Sequence, residues 1–223
     1  MSFICLIPAR KNSKRIKNKN LLKIKGKTLV SIAIQEARKS KYILKKNIFV
    51  STDSHEIKKE SEVSGASVPF LRPAHLAQDK TKMHQVLNHF IKTLGKDVSY
   101  KYIIVLQPTS PFRTSQHIDQ ACRYFCKNKN KADKLISVTR LNPDFSPFKI
   151  MKKKNFLLRQ LDGYKNYHKQ KSSYFLRNGP AIFIYKKKML GSNIYAGNSL
   201  MYLMSEEASL DINTFSDLKK IKF

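Results

Sequence analysis

Four short apolar runs, centred on residues 3–7, 47–51, 102–106 and 135–138, constrain this chain more than any other feature. They are β-branched or aromatic-rich and continuous instead of alternating, so a strand made from any of them must be covered on both faces. Between them, residues 29–40, 54–64, 81–94 and 115–127 carry apolar side chains at helical spacing, and Gly65 and Gly95 close the second and third of these stretches. Strands alternating with helices predict βαβ units, and hence a three-layer α/β fold around a mainly parallel sheet. In such a fold the ligand sits outside the carboxyl ends of the strands. That rule selects three loops: the one after Ile7, the one at Thr52-Asp53-Ser54, and the one from Gln107 to Arg113.

The first loop belongs to the run IPARKNSKRIKNKN, residues 7–20, which holds six basic side chains and no acid. A buried strand ends at Ile7 and Pro8 stops it, which delivers Arg10, Lys14, Arg15, Lys17 and Lys19 to the sheet edge. Clustered cations beside free backbone N–H groups suit a triphosphate. A solvated basic loop is the other reading, and the residues alone leave both open. The run contains neither GxGxxG nor GxxxxGK[ST], so it is not a dinucleotide fingerprint or a Walker loop. In the third strand-end loop, prolines at 108 and 111 stiffen a segment that offers Gln107, Thr109, Ser110 and Arg113. Such a loop can orient a polyhydroxylated substrate, or can simply be a turn with a helix cap at Thr114 or Ser115. Asp211 draws notice because acids are scarce, fifteen against forty-four bases. A carboxylate near a strand edge is a plausible magnesium ligand, and an N-cap or surface role is the alternative.

The formal charge of +29 suggests an anionic partner, nucleic acid among them. Lysine is nevertheless spread along the whole chain, and no zinc-finger spacing, RRM pattern or basic region with heptads accompanies it. Nucleic acid is therefore the weakest reading. The first apolar run is too short to span a membrane and lacks a basic segment before it, so no membrane partner and a cytoplasmic location are expected. Three scattered cysteines fit reduced thiols better than a disulfide or zinc framework. Residues 1–223 are expected to form a single domain. Residues 139–178 break the alternation and are expected to be an insertion off the main sheet. Phe183 returns as a strand, and Thr214 and Asp217 have capping-box spacing before a last helix over 215–222.

Taken in order, the motifs resemble those of the cytidylyltransferases that act on sialic and related nonulosonic acids. Residues 7–21 are similar to that family's nucleotide loop. Ser51-Thr52-Asp53, Leu71-Arg72-Pro73, Leu76-Ala77-Gln78-Asp79, Leu106 to Thr114, Arg177-Asn178-Gly179 and Ser209-Leu210-Asp211-Ile212 follow in the family's order. The resemblance spans the chain and implies a Rossmann-like αβα nucleotidyltransferase with a protruding dimerisation segment, matching 139–178. It implies transfer of CMP from CTP to a nonulosonic acid of the sialic, legionaminic or pseudaminic type, with Mg²⁺, by a homodimer. By likeness, Ala9, Arg10, Ser13, Lys14, Lys19 and Asn20 fall on the nucleotide loop, with Arg10 and Lys19 meeting phosphate and leaving group. Gln107 and Lys149 fall on sugar-binding positions, and Asp211 on the metal aspartate.

Three departures accompany the likeness. The family's Asp-x-Asp is Asp211 and Asn213 in this chain, and an amide oxygen brings no charge to a metal. Met83 stands where many members carry a nucleotide-touching serine. Lys169-Gln170 replaces an arginine–glutamine pair, keeping charge but losing the bidentate fork. Arg177 can compensate, one residue out of register. The alternatives are a catalytically weakened relative that binds nucleotide without turnover, and a basic nucleic-acid-binding protein.

Overall fold

The computed structural model describes residues 2–95, 98–142, 145, 149–154, 157–160, 174–177, 181–189 and 197–221. In chain order the elements begin with β1 (Phe3–Pro8), the hairpin β2 (Lys23–Ile24) and β3 (Lys27–Thr28), α1 (Leu29–Lys39), β4 (Ile43–Ser51), α2 (His55–Val63) and α3 (Met83–Leu94). They continue with β5 (Tyr102–Leu106), α4 (Ser115–Asn128), β6 (Lys134–Arg140), β7 (Met151–Lys154), β8 (Leu157–Gln160), β9 (Phe175–Arg177), β10 (Ile182–Lys186), β11 (Leu200–Leu203) and α5 (Phe215–Lys219).

The main sheet runs β11-β6-β10-β5-β1-β4, with β9 added beside β6. β10 is antiparallel to both β5 and β6, and β9 is antiparallel to β6. The other five strands share one direction, so the sheet is mixed but mainly parallel. Its residues sort by parity, as a strand's two faces require. Phe3, Cys5, Ile7, Tyr102, Ile104, Leu106, Ile182 and Ile184 pack with Ala33 and Ile34 of α1, Ile57 of α2, and Ile118, Cys122 and Phe125 of α4. Ile4, Leu6, Ile103, Val105, Phe183 and Tyr185 face the other way, against Leu87 and Phe90 of α3. Three layers follow, as the uninterrupted apolar runs require. Full burial of each such side chain contributes about 1.5–3 kcal/mol.

Local signals behave as read, with shifted ends. Thr28, Ser54 and Thr114 each accept a bond from the backbone three residues on and start α1, α2 and α4. Gly65 and Gly95 follow α2 and α3 at positive φ. α3 starts at Met83, two residues later than its periodicity suggests, where Gln85 Oε1 reaches back to accept from Lys82 N–H at 2.8 Å. The last helix is shorter than expected, ending at Lys219. β4 begins at Ile43, four residues early, its extra turn of strand being the exposed Leu44-Lys45-Lys46 that reads as loop.

The segment 139–178 divides. Its two ends belong to the main sheet, since Arg140, Thr139 and Val138 pair with Phe175, Leu176 and Arg177. Between them β7 and β8 pair with each other in a separate two-stranded ribbon. β11 is an addition that its sequence did not announce: Leu200-Met201-Tyr202-Leu203 is a half-exposed edge strand.

Candidate functional site

The carboxyl ends of β4, β1, β5, β6 and β11 lie on one edge of the sheet. Chain order reverses above β1, because α1 leads along one face to β4 while α3 lies on the opposite face ahead of β5, on the other flank. Loops on either side of such a reversal part and leave a crevice. Pro8 is paired with Ser51, and continuing the register Leu6 to Val105 by two residues sets Gln107 beside Pro8.

The basic loop that leaves β1 is folded onto the rest of the molecule at three points. Ala9 N–H donates to Ser51 O at 2.9 Å, and Lys11 N–H donates to Asp53 Oδ1 at 2.7 Å. Ile16, the one aliphatic residue amid the cations, is 2% exposed and packs with Ile24, Leu29, Ile212 and Ile221 in a third apolar cluster. Asn18 then takes a left-handed conformation, φ 52°, which asparagine tolerates better than most residues and which turns the chain back. Buried Asn20 donates Nδ2 to Arg10 O at 2.8 Å and closes the loop on itself.

That turn delivers Lys19 to the C-terminal segment. Its Nζ donates to Ile212 O at 2.9 Å and to Asn213 Oδ1 at 3.1 Å. Asn213 Nδ2 donates in turn to Asp211 Oδ2 at 2.6 Å. Lysine only donates and a carboxylate only accepts, so both ends of the Asn213 amide are fixed by their partners. Asp211 Oδ1 is buried and has no partner among the described residues. Burial holds the Lys19 pKa below that of an ordinary lysine; Asp211 opposes this and Arg10 and Arg15 add to it. Asp217 Oδ2 accepts from the backbone N–H groups of Asn213 and Thr214, at 2.9 and 2.8 Å, and so fixes the strand-like segment that carries the triad.

On the other side of the crevice, Asp79 takes Arg10 Nη2 at 2.6 Å and Lys14 Nζ at 3.0 Å. Hydrogen bonds from Lys14 and Arg10 hold its carboxyl below the usual range. Arg10 Nη1 also reaches Ala77 O at 3.3 Å. Arg72, almost fully buried, donates Nε to Ser51 Oγ at 3.0 Å and grips Ser51 O through Nη2, bracing the end of β4. Burial pushes the Arg72 pKa down to about 10, Asp53 opposing. The residue reading assigned no role to Arg72 or Asp79, although both lie in the motifs quoted for residues 71–79. The available signal was their pairing with cations in a chain short of acids.

The Gln107 loop is secured from below. Arg113 is wholly buried and donates Nη1 to Gln107 O at 2.8 Å and to Ala181 O at 3.0 Å. Ile212 N–H donates to Thr109 O at 2.8 Å, tying this loop to the segment carrying Asp211. Arg10, Lys14, Lys19, Asn20, Gln107, Asp211 and Asn213 thus gather at the strand ends, with half-buried Ser13 on the same loop. Lys11, Arg15 and Lys17 point to solvent. Lys149 is exposed near the start of the β7–β8 ribbon, and Arg177 is exposed on β9, opposite Val138. Lys169 lies outside the described residues. Met83 begins α3 and packs against the second apolar cluster, so this departure is taken up by the core rim.

The architecture and its crevice define the class: a three-layer α/β protein with a basic loop at the switch point of its mainly parallel sheet. The chain belongs to the cytidylyltransferase family, whose model matches residues 4–221. It is 30% identical over 219 residues to the N-acylneuraminate cytidylyltransferase of Streptococcus agalactiae serotype V, a match covering 97% of this chain and 52% of that protein. The chain thus spans about half the length of that relative. It is also 30% identical over 225 residues to the CMP-N,N'-diacetyllegionaminic acid synthase of Campylobacter jejuni, covering 99% of this chain and 94% of that protein. Among solved structures, a CMP:2-keto-3-deoxy-manno-octonic acid synthetase complexed with CTP shares the fold, with TM-score 0.72, 14% identity, and coverage of 99% and 96%.

Proposed function

We propose that the chain transfers CMP from CTP to a nonulosonic acid of the sialic, legionaminic or pseudaminic type and releases pyrophosphate. The observation that carries this reading is the convergence of Arg10, Lys14 and Lys19 with Asp211 at the switch-point crevice. The names of the relatives support the substrate class. The sugar's anomeric hydroxyl attacks the α-phosphorus, the bond to pyrophosphate breaks, and the hydroxyl proton leaves to solvent. Such a transfer needs positioning and charge neutralisation more than covalent help. Arg10 and Lys14 can exchange Asp79 for phosphate oxygens, because those ion pairs are partly exposed and weak. Lys19 meets the leaving group, and backbone N–H groups of the loop complete the cradle. Gln107, with Lys149, Lys169 and Arg177, is assigned to the acidic sugar.

The donor set fits a magnesium ion: Asp211 presents one buried oxygen without a partner among the described residues, which with phosphate oxygens would make the usual Mg²⁺ environment in nucleotide sites. When bound there, Mg²⁺ would neutralise phosphate charge. Asn213 holds the other Asp211 oxygen, Oδ2, and its own amide oxygen is engaged by Lys19.

We also assign a homodimer. On the α3 side of the sheet, Met201 and Leu203 of β11 and Phe175 of β9 share a face with Ile136 and are 43%, 42% and 38% exposed. α3 covers β1 and β5 but leaves this apolar face open. A cytoplasmic reaction is supported by three free cysteines; among the described residues no helix is long and apolar enough to cross a membrane.

The test is incubation with CTP, Mg²⁺ and a panel of nonulosonic acids, monitored by pyrophosphate release. No release from any of them would reject the reading. Asp211→Ala should abolish turnover and leave the fold intact, and near-normal activity would remove Asp211 from the metal site.

A further inference from the structure

We infer that Asn213 is a positioning residue that couples Lys19 to Asp211 and restricts the site to one carboxylate, so that a divalent cation binds only together with nucleotide phosphate oxygens. The inference rests on the reading of the opening loop as a triphosphate cradle.

Both ends of the Asn213 side chain are committed: Oδ1 accepts from Lys19 Nζ at 3.1 Å and Nδ2 donates to Asp211 Oδ2 at 2.6 Å. Asp211 therefore keeps a single open oxygen, Oδ1, for any cation. Lys19 reaches Asp211 through Asn213, Arg10 and Arg15 lie near enough to act on the Lys19 charge, and no group of three or more His, Cys, Asp or Glu side chains among the described residues could gather a metal. One carboxylate among several cations gives a local field that repels a free divalent ion. A triphosphate reverses that field and supplies the missing oxygens. The same amide keeps Lys19 facing the crevice without giving it a carboxylate partner. Its ammonium stays available for phosphate, since a neutral acceptor is displaced more easily than a charged one.

Aspartate at 213 would change both properties. Its oxygen would stand where Nδ2 now meets Asp211, and two carboxylates that close cannot both remain ionised unless a cation or a shared proton lies between them. The test therefore follows Mn²⁺ binding in nucleotide-free protein by water proton relaxation, and CTP binding by calorimetry with and without Mn²⁺. Both are applied to wild type, Asn213→Asp and Asn213→Ala, with matched melting temperatures confirming the fold. Wild type should show weak nucleotide-free Mn²⁺ binding and a CTP affinity that rises when Mn²⁺ is added. Asn213→Asp should bind nucleotide-free Mn²⁺ about tenfold or more tightly than wild type, the gain expected of a second carboxylate ligand. Asn213→Ala should match wild type for nucleotide-free Mn²⁺ and bind CTP more weakly, because Lys19 loses its guide. Nucleotide-free Mn²⁺ binding as tight in wild type as in Asn213→Asp, with CTP binding intact, would overturn the inference alone. Failure of wild type to bind CTP in either condition would instead overturn the cradle reading on which it stands.

Discussion

Replacing Lys19 with methionine separates stability from catalysis, because the two should respond very differently. The substitution keeps the stem and removes the ammonium. In the folded chain, burial lowers the Lys19 pKa, Asp211 opposing and Arg10 and Arg15 reinforcing, so the native state holds this proton less tightly than the unfolded chain does. The charge is thus a net cost to folding, complete below the folded pKa and relieved as pH rises toward the unfolded value of about 10.4. Methionine gives up the bonds to Ile212 O and Asn213 Oδ1. Bonds from a charged donor contribute about 1.5–3 kcal/mol each, whereas withdrawing an ammonium from water costs several kcal/mol. The two nearly cancel. Stability should stay within about 1 kcal/mol of wild type, a melting shift of no more than about 2–4 °C for a domain of this size. Activity should not stay near wild type: removing a cation prepositioned at the leaving pyrophosphate costs about 10²–10³ in kcat/KM, or about 2.7–4 kcal/mol. Thermal melts and continuous pyrophosphate detection read the two quantities on one preparation. As pH rises toward the unfolded lysine value of about 10.4, the melting difference should move in favour of wild type, since only wild type carries the penalty being relieved. A variant within about fivefold of wild-type kcat/KM would refute the catalytic part. A melting loss beyond about 6 °C would show that Lys19 is a structural strut.

Ile16→Ala should destabilise the chain by about 2–4 kcal/mol, the usual range for emptying a buried aliphatic site, as read by denaturant unfolding. It should also weaken CTP binding, because Ile16 fastens the basic loop to Ile212; unchanged CTP affinity would detach the loop's position from that cluster. Asp217→Asn should cost about 0.5–2 kcal/mol by spoiling the cap of α5. Burial works against the Asp217 carboxylate, but bonds from Asn213 N–H, Thr214 and its backbone outweigh it and depress the pKa. Its contribution is therefore full above the unfolded carboxylate pKa and fades as pH falls through the lower folded value, so the gap between wild type and variant should close below about pH 4. Leu203→Glu should shift the light-scattering mass of the proposed dimer to that of a monomer; a wild-type dimer whose mass is unchanged by the substitution would place the partner elsewhere.

What the sequence disclosed depended on whether a residue's surroundings were local. The runs at residues 3–7 and 102–106 were legible as buried strands because covering on both faces leaves no polar residue in them, and Thr114 and Thr214 were legible because a cap is complete within four residues. β11 was not legible: an edge strand with one half-covered face carries no pattern distinct from a loop. The early start of β4 was hidden for the same reason, its first turn being lysines in solvent. In the site, Arg10, Lys19 and Asp211 could be named from order and resemblance, but their connection could not. Lys19 and Asn213 are 194 residues apart, and the apolar cluster of Ile16 with Ile212 helps bring them to 3.1 Å.

That cluster also explains why the basic run misleads when read as charge. With forty-four bases distributed over the chain, a lysine or arginine marks no particular place. Acids do. Asp53 fixes the start of the basic loop, Asp79 its Arg10 and Lys14, Asp217 the segment opposite, and Asp211 reaches Lys19 through Asn213. Like charges crowded at one crevice repel, so the loop can be held open for a polyanion only if something else restrains it when the polyanion is absent. Scarce carboxylates and one isoleucine supply that restraint. On the proposed reading, the surplus of positive charge then raises the local potential and would draw an anionic nucleotide in, an effect that added salt would weaken.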